Sequence, residues 1–200
     1  MATSRLPFFH SDIQRSRDLV GLGQAIGTMT VGTVDASDLF RGALVQTVAA
    51  MDHYFHGVVL DRGVEMLLGR TPSTGTHRTI GLPFGSVRDI VTATSPGDRE
   101  LEARRHIAAS LGRVTFQAAD EIAAGLALVG VPKVWTVAFS GNADAVKTAL
   151  GVIITRRNRI VHQADSDPVN PGVVTALTDT DALGAIDTVE RMVMAIDRYC

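Results

Sequence analysis

Apolar residues along this chain recur at intervals of three and four, the period of a helix rather than of a strand. Phe40, Leu44, Val48, Met51, Phe55 and Val59 form one such stripe. Side chains at that spacing share one face of a helix, so the stripe predicts a long helix with a buried side. Asp35-Ala36-Ser37-Asp38 precedes it and offers N-cap side chains; Gly69, after Leu68, provides a stop. A second stripe, Leu183, Ile186, Val189, Val193 and Ile196, follows the capping cluster Thr178-Asp179-Thr180-Asp181. Residues 11 to about 29 predict a shorter helix, weakened by Gly21, Gly23 and Gly27.

The middle of the chain is less regular. Thr71-Pro72-Ser73-Thr74-Gly75-Thr76 and Gly81-Leu82-Pro83-Phe84-Gly85 punctuate a loop. Short helices are expected over 86–94, 99–111 and 118–128. Asn142-Ala143-Asp144 opens a further helix, which the stretch 165–172, with Pro168 and Pro171, closes. No strand pair, internal repeat or low-complexity tract stands out. The expected architecture is an all-α bundle with two or three long helices and an irregular helical insert, in one domain spanning 1–200.

Composition narrows the function classes. The chain has 200 residues, 46% hydrophobic and 20% charged, enough for a core of its own. A net charge of −2 excludes coating of nucleic acid by bulk electrostatics, so any such site must be local. Arg104, Arg105, Arg113, Arg156, Arg157 and Arg159 are the candidates for a basic patch. The single cysteine, Cys200, rules out an internal disulfide and a multi-cysteine zinc site. The first ten residues lack an apolar signal-peptide core, and no window is apolar enough for a membrane span, so a cytoplasmic protein without a membrane partner is expected.

The chemistry concentrates in Arg156-Arg157-Asn158-Arg159-Ile160-Val161-His162-Gln163-Ala164-Asp165. Arginine grips phosphate through its planar fork, and histidine exchanges protons near neutral pH. On a helix, Asn158 and His162 share a face; Asp165 joins them if the helix persists, making a column of amide, imidazole and carboxylate. Arg157 and His162, five residues apart, diverge by roughly 140° with a rise of about 7.5 Å. One helix does not bring both onto one phosphate unless the arginine wraps back or the helix ends near His162. Two copies of the chain would solve the problem by supplying complementary groups across a two-fold interface. The alternative is a solvated helix end whose cations complement the macrodipole.

The run Arg157-Asn158-Arg159-Ile160-Val161-His162 resembles the signature of HEPN domains: an arginine, a polar residue directly after it, and a histidine a few positions on. The wider segment, from Arg156 through Gln163-Ala164-Asp165, is similar to the branch called RiboL-PSP-HEPN. Ala50-Met51-Asp52-His53-Tyr54-Phe55-His56 and Val134-Trp135 fit that branch as well. The resemblance implies a HEPN-like helical fold over 1–200, with the motif helix at about 142–165. It implies a homodimer with the active site at the interface, and a metal-independent endoribonuclease acting as a toxin or defence effector. His162 would be the general base or acid, and Arg157 would bind the scissile phosphate. Asn158 would orient His162 or the phosphate, and Arg156 and Arg159 would bind RNA. Asp165 would support the motif or end the helix. The products would be a 2′,3′-cyclic phosphate and a 5′-hydroxyl, with no cofactor and no metal. RNA would be the substrate, and an antitoxin protein a possible partner. Some HEPN domains instead bind nucleic acid, nucleotide or protein without catalysis.

Other signals carry less. Asp52, His53 and His56 offer metal ligands, but without a second carboxylate–histidine cluster they read as the polar edge of a helix, with Asp52 pairing His56. Gly21-Leu22-Gly23-Gln24-Ala25-Ile26-Gly27 imitates a dinucleotide fingerprint, yet its third glycine is one residue late and no strand precedes it, so it reads as a close-packing or flexible helix. His77 and Arg78 fall in the loop, and His106 on a solvated helix face. Trp135 reads as a core or interface anchor rather than a base-stacking platform.

Overall fold

The stripe beginning at Phe40 folds as expected into the spine of the molecule. In the computed structural model, which describes residues 3–29, 34–72, 80–170 and 172–200, α2 spans Ser37–Leu67. Leu44, Val48, Met51, Phe55 and Val59 are all buried along it. Its stop also matches: Leu68 caps the helix and Gly69 takes a positive φ of 71°. Its start differs in detail. Ala36 is the N-cap and lends no side chain, while the Asp35 carboxylate accepts from the Ser37 amide at 2.9 Å.

Around this spine the chain adds α1 (Leu6–Met29), α3 (Phe84–Thr92), α4 (Pro96–Leu111), α5 (Ala119–Leu128), α6 (Val134–Ala138), α7 (Ala143–Gln163) and α8 (Asp179–Asp197). The protein is thus an all-α bundle. Among the described residues there is no strand, only an isolated bridge between Ser166 and Val174. Helices α1, α4, α5, α7 and α8 all pack on α2, whereas α3 packs on α4 alone. No helix among the described residues is long and apolar enough to cross a membrane.

The second stripe is α8, with Ile186, Val189, Val193 and Ile196 buried. It begins with a reciprocal cap: the Asp181 amide donates to Thr178 Oγ1 at 3.1 Å, and the Thr178 amide donates to Asp181 Oδ2 at 3.0 Å. The α1 helix starts five residues before its expected position. The apolar residues Leu6 and Phe9 extend its packed face, and Pro7 sits in the first turn, where a missing N–H costs nothing. Gly23 serves the close packing of α1 expected of this stretch. A Cβ there would stand 2.6 Å from Phe40 Cε1, so glycine lets the ring lie against the α1 backbone. The short α6 was not expected; it carries Trp135, which is buried, donates from Nε1 to the Ala119 carbonyl at 2.8 Å and stacks on Phe139. Trp135 is therefore a core anchor.

One end of the bundle is fastened by Asp197. This buried carboxylate accepts from the Thr3 amide at 3.1 Å, the Thr3 hydroxyl at 2.6 Å and the Tyr54 phenol at 2.7 Å. Burial, then the bond to Asp197, pushes the Tyr54 phenol well above its ordinary range. Burial also pushes the Cys200 thiol up to about 12, which keeps it protonated and a poor nucleophile at neutral pH.

Candidate functional site at the end of α7

The motif lies on the last two turns of α7. That helix turns Leu150 and Ile153 inward, and Arg157 falls on the same packed side. The Arg157 side chain is half-buried; its Nη1 donates to Asn158 Oδ1 at 3.0 Å, and its Nε is buried without a partner. His162 is exposed, and its ring makes no hydrogen bond or ion pair among the described residues. Asn158 therefore orients Arg157 rather than His162. Within one chain Arg157 and His162 leave the helix on different sides, as their five-residue spacing requires, and no bond joins them.

The outer face of α7 is uncovered. Thr148, Gly151, Val152, Thr155, Asn158 and His162 are all exposed along it, and Val152 retains 66% of its surface. Nothing lies within 4 Å of where a Cβ on Gly151 would stand. These side chains are small or short up to the histidine, so a second helix could approach this face closely.

Asp165 departs from the expected column. The helix stops at Gln163, and Ala164 and Asp165 both adopt left-handed backbone, with φ of 48° and 53°. The amides of both residues donate to the Arg159 carbonyl, so the chain reverses over the last turn. This reversal drives Asp165 inward until only 1% of it is exposed, away from the solvent face that carries His162. Its Oδ2 accepts from Arg41 Nε at 3.0 Å and from Arg156 Nη2 at 2.7 Å. The same two arginines donate to the Thr175 carbonyl, each at 2.9 Å, and Arg156 also reaches the Ala176 carbonyl at 3.0 Å. Arg159 Nη2 donates to Thr175 Oγ1 at 2.8 Å and to the Ser166 carbonyl at 3.0 Å. Arg156 and Arg159 thus stitch the segment after α7 to the helix, and Asp165 is a buried counter-ion for two cations.

Sequence reasoning missed Arg41, although it left a trace. Arg41 lies three residues before Leu44 and seven before Val48, so a cation stands on the buried side of the stripe and must find a partner there. The six arginines proposed as one patch fall apart in space. Arg104 and Arg105 are on α4, which does not touch α7. Arg104 donates to Asp61 at 2.6 Å, and Arg105 pairs with Glu102. Arg113 follows α4 and lines a cavity of about 780 Å³ between α4 and α5, together with Asp120 and Glu121.

The other four described histidines all have carboxylate or carbonyl partners; His10 Nδ1 stands 3.3 Å from Glu190 Oε1. His53 pairs with Asp12 at 3.1 Å. His56 places Nδ1 2.9 Å from the Asp52 carbonyl and 3.6 Å from its carboxylate, the pairing expected from the sequence. His106 is not on a solvated face: its side chain is 15% exposed and lies between Asp89 and Glu102. That makes the carboxylate–histidine cluster which the sequence reading found lacking. His77 and Arg78 lie outside the described residues.

No family model, curated protein or solved structure matches this chain. By its fold the protein belongs to the class of all-α bundles, built on α2.

Proposed function

We propose that the protein is a metal-independent endoribonuclease of HEPN type, working as a homodimer with its active site across the interface. The reading rests on the resemblance of residues 156–165 to that family. The observation that carries it is the state of His162: exposed, without an intramolecular partner among the described residues, and set on the uncovered face of α7. A histidine used only as a helix cap has no need of an open face of small residues around it.

Pairing two such faces would bring the His162 and Asn158 side chains of both copies together, and Arg157, which bonds to Asn158, would turn out from the packed side to meet the other copy's His162. Arg157 then holds the scissile phosphate and balances charge that develops on it. His162 takes the proton from the ribose 2′-OH, or protonates the leaving 5′-oxygen. The 2′-oxygen attacks the adjacent phosphorus and the bond to the 5′-oxygen breaks, leaving a 2′,3′-cyclic phosphate and a 5′-hydroxyl. The nucleophile belongs to the RNA, so DNA is inert. Asn158 sets the direction of Arg157. A role as effector of a toxin–antitoxin or defence module, held in check by an antitoxin protein, follows from the same resemblance.

The test is cleavage of a mixed RNA pool in EDTA by wild type, His162→Ala and Arg157→Ala. Wild type is expected to leave cyclic-phosphate ends, with both variants reduced by about 10²-fold or more. A second reading, a HEPN module that binds without cutting, draws on the bonds that Arg156 and Arg159 spend inside the chain, which leave few free cations for RNA. Absence of cleavage by a confirmed dimer, on structured RNAs as well, would select that reading.

A further inference from the structure

The interface of α3 and α4 holds three donor groups from two helices, remote from α7. Asp89 comes from α3; Glu102 and His106, four residues apart, come from one face of α4. His106 Nε2 stands 3.3 Å from Asp89 Oδ2 and 3.5 Å from Glu102 Oε2, and all three donors lie within 4.8 Å of one another. Zinc bonds to nitrogen and oxygen run at about 2.0–2.2 Å, so adjacent corners of a zinc tetrahedron stand about 3.3–3.6 Å apart. Two of the three edges already have that length.

A cationic atom occupies the middle of the cluster. Arg105 Nη2 is 3.1 Å from His106 Nε2 and 3.6 Å from Asp89 Oδ2, and it donates to Glu102 Oε2. This arrangement is frustrated at the imidazole. Nε2 faces two carboxylate oxygens, which call for an N–H, and a guanidinium N–H, which calls for a lone pair. No single protonation state satisfies both. A metal ion in place of the guanidinium nitrogen accepts from all three donors at once. Arg105 is 59% exposed on a long side chain, so it has solvent to swing into. A shallow cavity of about 390 Å³, lined in part by Asp89, Thr94, Asp98 and Glu102, opens beside the cluster and can supply water to the fourth corner.

The geometry points to a zinc site formed by Asp89 Oδ2, Glu102 Oε2 and His106 Nε2 that fastens α3 to α4. One imidazole and two carboxylates suit zinc better than magnesium, which prefers oxygen alone and keeps its own waters. The fold gives such a clamp something to do. Helix α3 has nine residues, buries only Ser86 and Ile90, and packs on no other helix than α4 among those described. A helix that short is marginal without an external tie.

The experiment is a calorimetric titration of the metal-stripped full chain with zinc chloride at pH 7, repeated with Asp89→Asn, His106→Gln and Arg105→Ala. One zinc per chain is expected. Loss of a supporting partner costs about 10–100-fold in metal affinity, so loss of a ligand should cost at least that in the first two variants. Arg105→Ala should bind more tightly, because the resident cation is gone. Zinc should raise the melting temperature of wild type and leave that of Asp89→Asn unmoved, a readout that does not depend on RNA cleavage. No zinc uptake by wild type or Arg105→Ala would overturn the site. So would uptake undiminished in both Asp89→Asn and His106→Gln, since that is an adventitious ion only.

Discussion

Asp165 is the residue whose loss should be felt most. It neutralises Arg41, which is 8% exposed, and Arg156 from a position itself nearly sealed from water. Taking away one partner of a buried ion pair leaves a desolvated charge and costs about 3–5 kcal/mol. Asp165→Ala should lower the unfolding free energy by that amount, read from urea titration, and a change of less than about 1 kcal/mol would show that water reaches the arginines. Gly125 is a second sensitive position, because a Cβ there would stand 2.2 Å from Phe116 Cε1. Gly125→Ala should destabilise by about 1–3 kcal/mol through overpacking, read in the same titration. Neither site is plain in the sequence. Arg41 and Asp165 are 124 positions apart, and the inward turn of Asp165 depends on two successive left-handed residues that are not glycine. Glu102 and His106 share a helix face and were within reach of spacing arguments. Asp89, on another helix, was not.

Elements with long apolar stripes were the most legible. The α2 and α8 helices were placed closely because a period sustained over many turns leaves no other buried face. The α6 helix was missed because five residues cannot display a period. The start of α1 was missed because Pro7 reads as a breaker, although the first turn tolerates it. The cap of α8 allows a direct test: Thr178→Ala should cost about 1 kcal/mol of stability, measured by thermal unfolding.

Asp61 ties α2 to both α4 and the residue just before α1. Arg5 grips it with Nε at 2.6 Å and Nη2 at 2.8 Å, and Arg104 adds a bond at 2.6 Å. Burial pushes the carboxyl upward, but the bonds from Arg5 and Arg104 outweigh it and hold Asp61 below the ordinary carboxylate range. A lowered value stabilises the fold above the unfolded pKa, about 4, and that contribution is lost as the pH falls through the folded value. The stability gap between wild type and Asp61→Asn should therefore narrow between pH 7 and pH 3, as followed by urea unfolding at each pH. An unchanged gap would mean that the charge of Asp61 contributes nothing.

At the scale of the whole molecule, the proposed activity depends on what covers α7. If two copies meet there, the chain should sediment as a dimer, and Val152→Asp on the open face should give a monomer. That variant should also lose RNA cleavage while keeping both His162 and Arg157. A monomeric wild type would remove the basis for a shared site. The all-α class was readable from periodicity, but the dispersal of the arginines was not, because adjacency in sequence says little about which helix faces meet.

The knot around Asp165 also decides how the motif helix moves. Arg41 from the start of α2, Arg156 from α7 and the carbonyls of Thr175 and Ala176 all close on one carboxylate region. A segment held in this way cannot fray by itself. The Thr175 amide, which donates to the Asp165 carbonyl at 2.9 Å, can exchange its hydrogen with solvent only when the whole knot opens. In Asp165→Ala that amide should exchange at the rate of an ordinary surface loop, and the turn that carries His162 should loosen with it.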